Sequence, residues 1–193
     1  MTTSETGVRE EILKTATRMF IEQGYHGLAM RQISEAVGVS KAALYYYFKD
    51  KEELFLAILS SYLDEMEASI DAIRAGTESR TEQIRQFVEW VLRQPAEQRA
   101  ITRLGSQEMA QLSAASRKNF NKIYYEKFIG KLIAILQEGM ERGEFRTLNV
   151  EVATWSLLGI MYPYFYPNHS GGKPLTPETI GEVVSIYLDG VAK

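Results

Sequence analysis

The sequence of 193 residues contains no cysteine, only two histidines and only five prolines. Without cysteine the chain forms no disulfide scaffold, no thiolate nucleophile and no cysteine-ligated metal site, and a metal centre would have to rely on carboxylates. We therefore expect neither a metal nor a cofactor. The chain also has little net charge, −3 at pH 7, and this sign by itself argues against a polyanionic partner such as DNA.

Targeting signals are also lacking. The first residues show no basic region followed by an apolar run, so no signal peptide is predicted and we expect a cytoplasmic location. One uncharged stretch, Val152 to Gly172, approaches the roughly 20 residues that a membrane helix needs. Its apolar part ends at Tyr166, before a segment rich in proline, glycine and polar residues. This pattern favours a buried helix with an irregular tail over a membrane span.

Helical periodicity is what the sequence does contain. Apolar residues recur at intervals of three and four, and no alternating strand pattern is present. Gly24, Pro95 and Gly143 mark ends of such segments. The pattern predicts an all-α fold with about nine helices, near residues 7–23, 30–37, 41–47, 51–75, 80–94, 97–112, 116–142, 149–166 and 177–190.

The segment from Met30 to Phe48 predicts a helix-turn-helix. Ile33 supplies an apolar face to the first helix, and Gly38 suits the left-handed conformation that ends it. Ser40 is a natural N-cap for the second helix, whose inner face carries Leu44 and, four residues later, Phe48. Two short helices joined in this way share one small core.

The outer face of the second helix is rich in hydrogen-bond donors. Lys41, Tyr45, Tyr46 and Lys49 lie on it, together with the small Ala42. Because a helix fits the major groove, where hydroxyls and lysines bind phosphates and small side chains meet a thymine methyl, this face predicts DNA binding. The alternative is a plain helical hairpin whose tyrosines pack against neighbouring helices.

The run from Gly38 to Phe55, which reads GVSKAALYYYFKDKEELF, resembles the N-terminal domain of the TetR family of transcriptional regulators. The resemblance covers about residues 8–67 and implies a helix-turn-helix DNA-binding domain there. It further implies that residues 68–193 form a helical effector-binding and dimerisation domain. The expected protein is a homodimer that binds a palindromic operator in double-stranded DNA, usually as a repressor, and dissociates when a small molecule binds.

The resemblance also carries DNA-contacting positions onto this chain. Two departures from the family pattern stand out: Leu28 and Ala29 replace a common threonine or serine, and Tyr47 replaces a common histidine. With the basic residues of the same segment, the predicted DNA-binding residues are Arg31, Ser40, Lys41, Ala42, Tyr45, Tyr46, Tyr47, Lys49 and Lys51.

Aromatic residues and methionines concentrate beyond residue 80. Large rings on several helices can line a cavity, and methionine adapts to varied ligands, so we expect an apolar or aromatic effector site. The alternative is that these side chains form an ordinary core. The candidate ligand-binding residues are Phe87, Trp90, Met109, Phe120, Tyr124, Phe128, Trp155, Met161, Tyr162 and Phe165.

The last two predicted helices are the candidates for a dimer interface. Residues 152–166 are apolar nearly all round, so they require cover on more than one side. A four-helix bundle across a two-fold axis supplies that cover, and the resemblance implies one.

No catalytic constellation is present in the sequence, and we expect a protein that is not an enzyme. His26 and His169 fall in predicted loops without a serine motif or a telling carboxylate pair, and Gly171-Gly172-Lys173 lacks the spacing of a phosphate-binding loop. A competing interpretation is a helical ligand-binding or interaction module without DNA binding. The missing hydroxyl at positions 28 and 29 is the feature that supports it.

The distribution of charge answers the objection raised by the net charge. Residues 30–51 contain four cations against two anions, so this segment carries +2 and the rest of the chain −5. The sequence therefore predicts a modestly basic DNA-binding edge on an acidic body. Because few phosphates would be neutralised, the expected salt dependence of DNA binding is moderate.

Overall fold

The protein is described by a computed structural model that covers residues 2–166 and 175–191. These residues are helical almost throughout and form no β-strand beyond a single bridged residue, Phe145, which confirms the all-α prediction. The helices are α1 (Thr2–Gly27), α2 (Met30–Val37), α3 (Lys41–Tyr47), α4 (Lys51–Gly76), α5 (Arg80–Arg93), α6 (Ala96–Glu108), α7 (Ala114–Tyr124), α8 (Gly130–Glu141), α9 (Val150–Met161) and α10 (Pro177–Val191).

The first helix is longer than the sequence predicts. Gly24 adopts φ 72° and ψ 174°, a conformation that favours glycine, and interrupts the helix there, but helical structure resumes as far as Gly27. His26 therefore lies in a helical turn, where we expected a loop, and its exposed ring hydrogen-bonds the side chain of Gln111. Gln111 belongs to a short 3-10 turn, Met109–Gln111, that follows α6.

Two other predicted helices are interrupted in the structure. The helix expected at 116–142 contains a π-helical turn, Tyr125–Ile129, between α7 and α8. The helix expected at 149–166 ends at Met161 and continues as the 3-10 turn Tyr162–Phe165, where Pro163 has no N–H to donate. The predicted loop at 167–174, with His169 and Gly171-Gly172-Lys173, lies outside the described residues.

The lengths and hydrophobicity of the helices decide whether one of them could span a membrane. None of those in the described ranges is long and apolar enough to span a bilayer. The uncharged stretch that begins at Val152 folds in part as α9, which has only 12 residues.

The chain forms two compact units. The first contains Met1–Tyr62 and Ile101–Phe120, and the second contains Leu63–Ala100 and Asn121–Lys193. Helices α4, α6 and α7 contribute residues to both units.

This grouping differs from a simple division along the chain. The sequence prediction divides the protein into residues 8–67 and 68–193, whereas residues 101–120 pack with the N-terminal unit. Residues that are distant along the chain contact each other within the first unit. For example, the Thr102 hydroxyl hydrogen-bonds the Tyr62 hydroxyl. The functional boundary at residue 67 stays a prediction.

The first unit has an aromatic core beneath the helix-turn-helix. Helix α1 packs on α2, and α2 packs on α3. The ring of Phe20 meets that of Phe55 edge to face at 5.2 Å between centroids. The side chains that are at most 1% exposed in this core include Ile12, Phe20, Leu28, Ile33, Leu44, Phe48, Leu54 and Phe55.

The core of the second unit combines aliphatic side chains with buried phenylalanines such as Phe87 and Phe145. Helix α5 packs on α8 and α10, α8 packs on α9, and α9 packs on α10. Glu138 of α8 accepts hydrogen bonds from Arg74 at 2.8 Å and from Arg80 at 2.7 Å, so one carboxylate joins α4, α5 and α8. The most buried side chains here include Ile70, Ile84, Leu132, Ile135, Leu136 and Leu157.

Candidate nucleic-acid interface

Helix α2 begins without a hydroxyl cap. The N-cap residue is Ala29, and its backbone N–H donates to the Gln32 side-chain oxygen at 2.8 Å. This hydrogen bond is the half of a capping box that the glutamine at the third helical position supplies. It requires no hydroxyl on the N-cap residue. Leu28 and Ile33, both buried, occupy the two positions of a hydrophobic staple. The departure from the family pattern at residues 28 and 29 therefore leaves the start of α2 well defined.

The turn between α2 and α3 is closed by backbone hydrogen bonds. Gly38 lies in the left-handed region at φ 77° and ψ 27°, and the N–H groups of Gly38 and Val39 both donate to the Ser34 carbonyl at 3.0 Å. Ser40 then caps α3, since its hydroxyl oxygen accepts the Ala43 N–H at 3.0 Å. These contacts determine the angle at which α3 leaves the turn.

Helix α3 has one buried and one exposed face. Leu44 is fully buried and Phe48 is 1% exposed, as the four-residue spacing predicts. On the other face, the side chain of Tyr46 is 76% exposed and that of Tyr45 is 42% exposed. Exposed aromatic rings that end in hydroxyls are unusual for a face that only packs against neighbours.

The remaining predicted residues of α3 surround these tyrosines. Ser40, Lys41 and Ala42 are exposed, whereas Tyr47 is half-buried. The Lys41 ammonium lies 5.8 Å from the centroid of the Tyr45 ring. The structure thus brings the α3 candidates together on one surface, and their individual contacts with DNA stay predictions.

Two of the predicted cations are engaged elsewhere. The Lys51 ammonium donates to the carbonyls of Tyr25 at 2.6 Å and Leu28 at 2.9 Å, and desolvation by burial lowers the pKa of Lys51. Lys51 therefore ties the end of α1 to the start of α2, a role for which the sequence shows no signal. Arg31 pairs with Glu35 at 2.7 Å, and this hydrogen bond raises the pKa of Arg31.

The turn between α3 and α4 is held by acidic residues that the site prediction did not include. The Asp50 carboxylate accepts the Glu53 N–H at 2.8 Å, and the Glu53 carboxylate accepts the Lys49 N–H at 2.8 Å. The Asp-x-x-Glu spacing is that of a capping box, but here the glutamate accepts the N–H of the residue before the N-cap. Lys49 is exposed, and the cap orients its backbone next to the end of α3.

The candidate ligand-binding residues separate into groups. Phe87, Tyr124 and Phe128 form an aromatic cluster in the second unit, with centroid distances from Phe128 of 6.0 Å and 5.3 Å. Phe165 and Met161 are buried, whereas Trp90 is partly exposed. Of the other four candidates, Met109 and Phe120 belong to the first unit, and Trp155 and Tyr162 are exposed.

Helices α9 and α10 expose apolar side chains in the second unit. Val152 is 63% exposed, Trp155 57% and Ile186 66%. A recess of about 310 Å³ between the two helices is lined by residues that include Val152, Ser156, Ile186 and Gly190. The predicted dimer helices therefore carry uncovered apolar surface, and Trp155 belongs to that surface rather than to the aromatic cluster.

Comparison with known proteins places the chain in a family. The model of the bacterial regulatory proteins of the tetR family matches residues 12–58, and the model of the tetracyclin repressor-like C-terminal domain matches residues 77–191. Together the two models cover the helix-turn-helix and most of the remaining chain. The chain belongs to the TetR family and is a DNA-binding transcriptional regulator.

Individual relatives agree with this assignment. The transcriptional repressor KstR2 of Rhodococcus jostii is 25% identical over 193 residues, which cover 99% of this chain and 94% of KstR2. The transcriptional activator FasR of Mycolicibacterium smegmatis is 37% identical over 73 residues, so that the alignment spans 37% of this chain and about a third of the length of FasR. The crystal structure of AibR with isovaleryl coenzyme A and operator DNA superposes with a TM-score of 0.75 at 24% identity, over 93% of this chain and 97% of AibR.

Proposed function

We propose that the protein is a cytoplasmic, homodimeric repressor that binds a palindromic operator through α3 and dissociates when a small apolar or aromatic effector binds within residues 68–193. The exposed outer face of α3 carries this proposal. It presents two tyrosine hydroxyls, a lysine and an alanine on a helix that is braced by capped turns on both sides. A helix presented in this way can enter the major groove and contact both phosphates and base edges.

The proposed DNA contacts are ranked by the geometry. Tyr45, Tyr46 and Lys41 are the principal candidates because their side chains project from α3. Ser40, Ala42, Tyr47 and Lys49 flank them. Arg31 can contribute only in competition with Glu35, and Lys51 acts by holding the helices in place.

The dimer is proposed to form through α9 and α10. Their exposed valine, tryptophan and isoleucine require cover, and in a two-fold dimer the same patch on each protomer covers the other. Two recognition helices related by the two-fold axis would enter successive major grooves about 34–36 Å apart.

The proposed effector chemistry is based on the aromatic cluster, and the proposal of repression rather than activation is based on the relatives. We place the proposed effector beside the aromatic cluster of Phe87, Tyr124 and Phe128, because ligand sites are lined mainly by apolar and aromatic side chains. Repression is favoured because the likeness to KstR2 extends over the whole chain, whereas the likeness to the activator FasR is limited to 73 residues.

Selection from random DNA duplexes tests the central claim. The purified protein should enrich a palindromic sequence, and Tyr46→Ala should bind that duplex about a hundredfold more weakly, since a dimer loses two contacts of about 1.4 kcal/mol each. Tyr125→Ala is the matched control, because Tyr125 is an exposed tyrosine outside the helix-turn-helix, 55% exposed. Enrichment of no sequence, or equal loss in both variants, would contradict the proposal.

Light scattering tests the dimer. The wild type should be dimeric at micromolar concentration, and Trp155→Glu should be monomeric because a charge at the centre of an apolar interface loses its hydration. In a Trp90→Phe variant, Trp155 is the remaining tryptophan, and its emission should shift to longer wavelength on dilution. A monomeric wild type would exclude this interface.

A further inference from the structure

One cation near the recognition helix is absent from the set of predicted contacts. Arg9 lies on α1, and its guanidinium carbon is 5.2 Å from the centroid of the Phe48 ring. Phe48 is the residue that ends α3 and its ring is 1% exposed, whereas Arg9 itself is exposed. Folding therefore places a guanidinium at the C-terminal end of α3, although Arg9 is 32 residues before its start.

From this arrangement we propose that Arg9 is a phosphate-binding residue of the operator complex that flanks the C-terminal end of α3. The inference rests on the proposed function and adds a contact made by α1. Lys41, backed by the Tyr45 ring, marks the opposite end of the same helix. Each end of α3 thus carries a cation supported by an aromatic ring.

The dimensions of this pair suit the major groove. The seven residue steps from Lys41 to Phe48 correspond to about 10 Å along a helix axis. The major groove is about 12 Å wide, with a phosphate backbone along each side. Cations at the two ends of a helix that lies in the groove are therefore spaced to meet the two backbones.

Arg9 is also available for such a contact. Among the side chains that the structure describes, no carboxylate forms an ion pair with Arg9, in contrast to Arg31, which pairs with Glu35. Stacking on Phe48 restricts the side chain, so less conformational freedom is lost when a phosphate binds. The guanidinium keeps its in-plane N–H donors, whose fork geometry matches phosphate oxygens.

The test compares salt dependences of binding to the duplex that the wild-type protein selects. Arg9→Met keeps a long apolar stem over Phe48 and removes the charge. Losing one phosphate contact per protomer should lower the slope of log affinity against log salt by about 1.8 in the dimer. The wild-type advantage over this variant should therefore shrink about twelvefold between about 50 and 200 mM salt.

Controls separate a DNA contact from a structural role. Lys14→Met, an exposed cation on the same helix, should keep the wild-type slope, and Arg9→Lys should restore most of it. The selected sequence should be the same for the wild type and Arg9→Met, because phosphates carry no base information. Thermal unfolding reports whether Arg9→Met still folds, and Arg9→Gln provides a second neutral variant.

The outcomes discriminate between this inference and the function on which it rests. Wild-type binding with an unchanged slope in folded Arg9→Met or Arg9→Gln overturns the role of Arg9 and leaves the proposed function intact. Failure of the wild type to select any duplex overturns both. A reduced slope with an unchanged sequence preference supports the phosphate contact.

Discussion

Two cations at the DNA-binding face have surroundings different from those of the cations that join helices in the second unit, although Arg31 of the N-terminal unit is itself paired with Glu35. In the N-terminal unit, Lys41 and Arg9 lie against the aromatic rings of Tyr45 and Phe48. In the second unit, cations of α4, α5, the π-helical turn and α8 are held by carboxylates. The pairs are Arg74 and Arg80 with Glu138, Lys127 with Asp64 and Glu67, and Lys131 with Glu67 and Asp71.

The contrast explains how a chain of net charge −3 serves as a DNA-binding regulator. Cations that are already paired join helices, and they offer little attraction to a distant phosphate. Cations backed by neutral rings keep their charge available to a partner. The distribution of charges between the two units therefore matters more than their sum.

The largest effect on stability should come from removing the carboxylate that joins three helices. Glu138→Gln should lower the free energy of unfolding by about 2 kcal/mol, because Arg80, whose side chain is 10% exposed, loses its charged partner. Glu141→Gln, an exposed carboxylate one turn away on α8, is the matched control and should change stability by less than about 0.5 kcal/mol. Urea denaturation measures both, and equal effects would refute the special role of Glu138.

The same carboxylate predicts a pH dependence. The hydrogen bond from Arg74, reinforced by Arg80, outweighs partial burial and lowers the pKa of Glu138 below its ordinary value of 4.5. Its stabilising contribution is therefore complete above pH 4.5 and is lost as the pH falls through the lowered pKa. The stability of Glu138→Gln should decline less steeply than that of the wild type below pH 4.5, and parallel curves would contradict this.

A smaller effect is expected at the DNA-binding face. Lys41→Met should weaken binding to the selected duplex by about tenfold at moderate salt and reduce the salt slope by about 1.8, while leaving stability unchanged. Lys131→Met removes a cation of the second unit and should leave the slope unchanged. If both variants reduced the slope equally, the contrast between the two groups of cations would fail.

The smallest effect concerns the ion pairs that link α4 to the π-helical turn and α8. Hydrogen bonds from Lys127 to Asp64 and Glu67 raise the pKa of Lys127, which lies in the π-helical turn. Lys131→Met should lower the free energy of unfolding by less than about 1 kcal/mol, because solvent screens ion pairs that are partly exposed. A loss well above this value in thermal unfolding would show that the ion pairs act as a cooperative network.

Much of the fold follows from local sequence signals. Predicted and observed boundaries agree for α2 and α3, and nearly agree for α4 and α5. Gly38 caps the end of α2, and Ser40 and Ser79 cap the starts of α3 and α5, through hydrogen bonds that span only a few residues. The exposed and buried faces of α3 follow from the four-residue spacing of Leu44 and Phe48. Local rules fail at the π-helical turn Tyr125–Ile129, for which the helical periodicity of the sequence gives no signal.

The candidate site divides in the same way. The sequence predicts the residues of α3, because a recognition helix is a continuous segment of the chain. The sequence predicts Lys51 as a DNA-binding residue, yet its ammonium donates to two carbonyls that are 23 and 26 residues away. The sequence does not predict Arg9 as part of the site, because its proximity to Phe48 arises only when α1 folds against the helix-turn-helix.

The sequence by itself determined the helical class, the family and the recognition helix, because periodicity, caps and motif spacing act over short distances along the chain. The tertiary structure decided which charges remain available, that Trp155 is exposed, and that residues 101–120 pack with the N-terminal unit. Those properties depend on contacts between distant segments, and such contacts are settled by burial and hydrogen bonding in the folded protein.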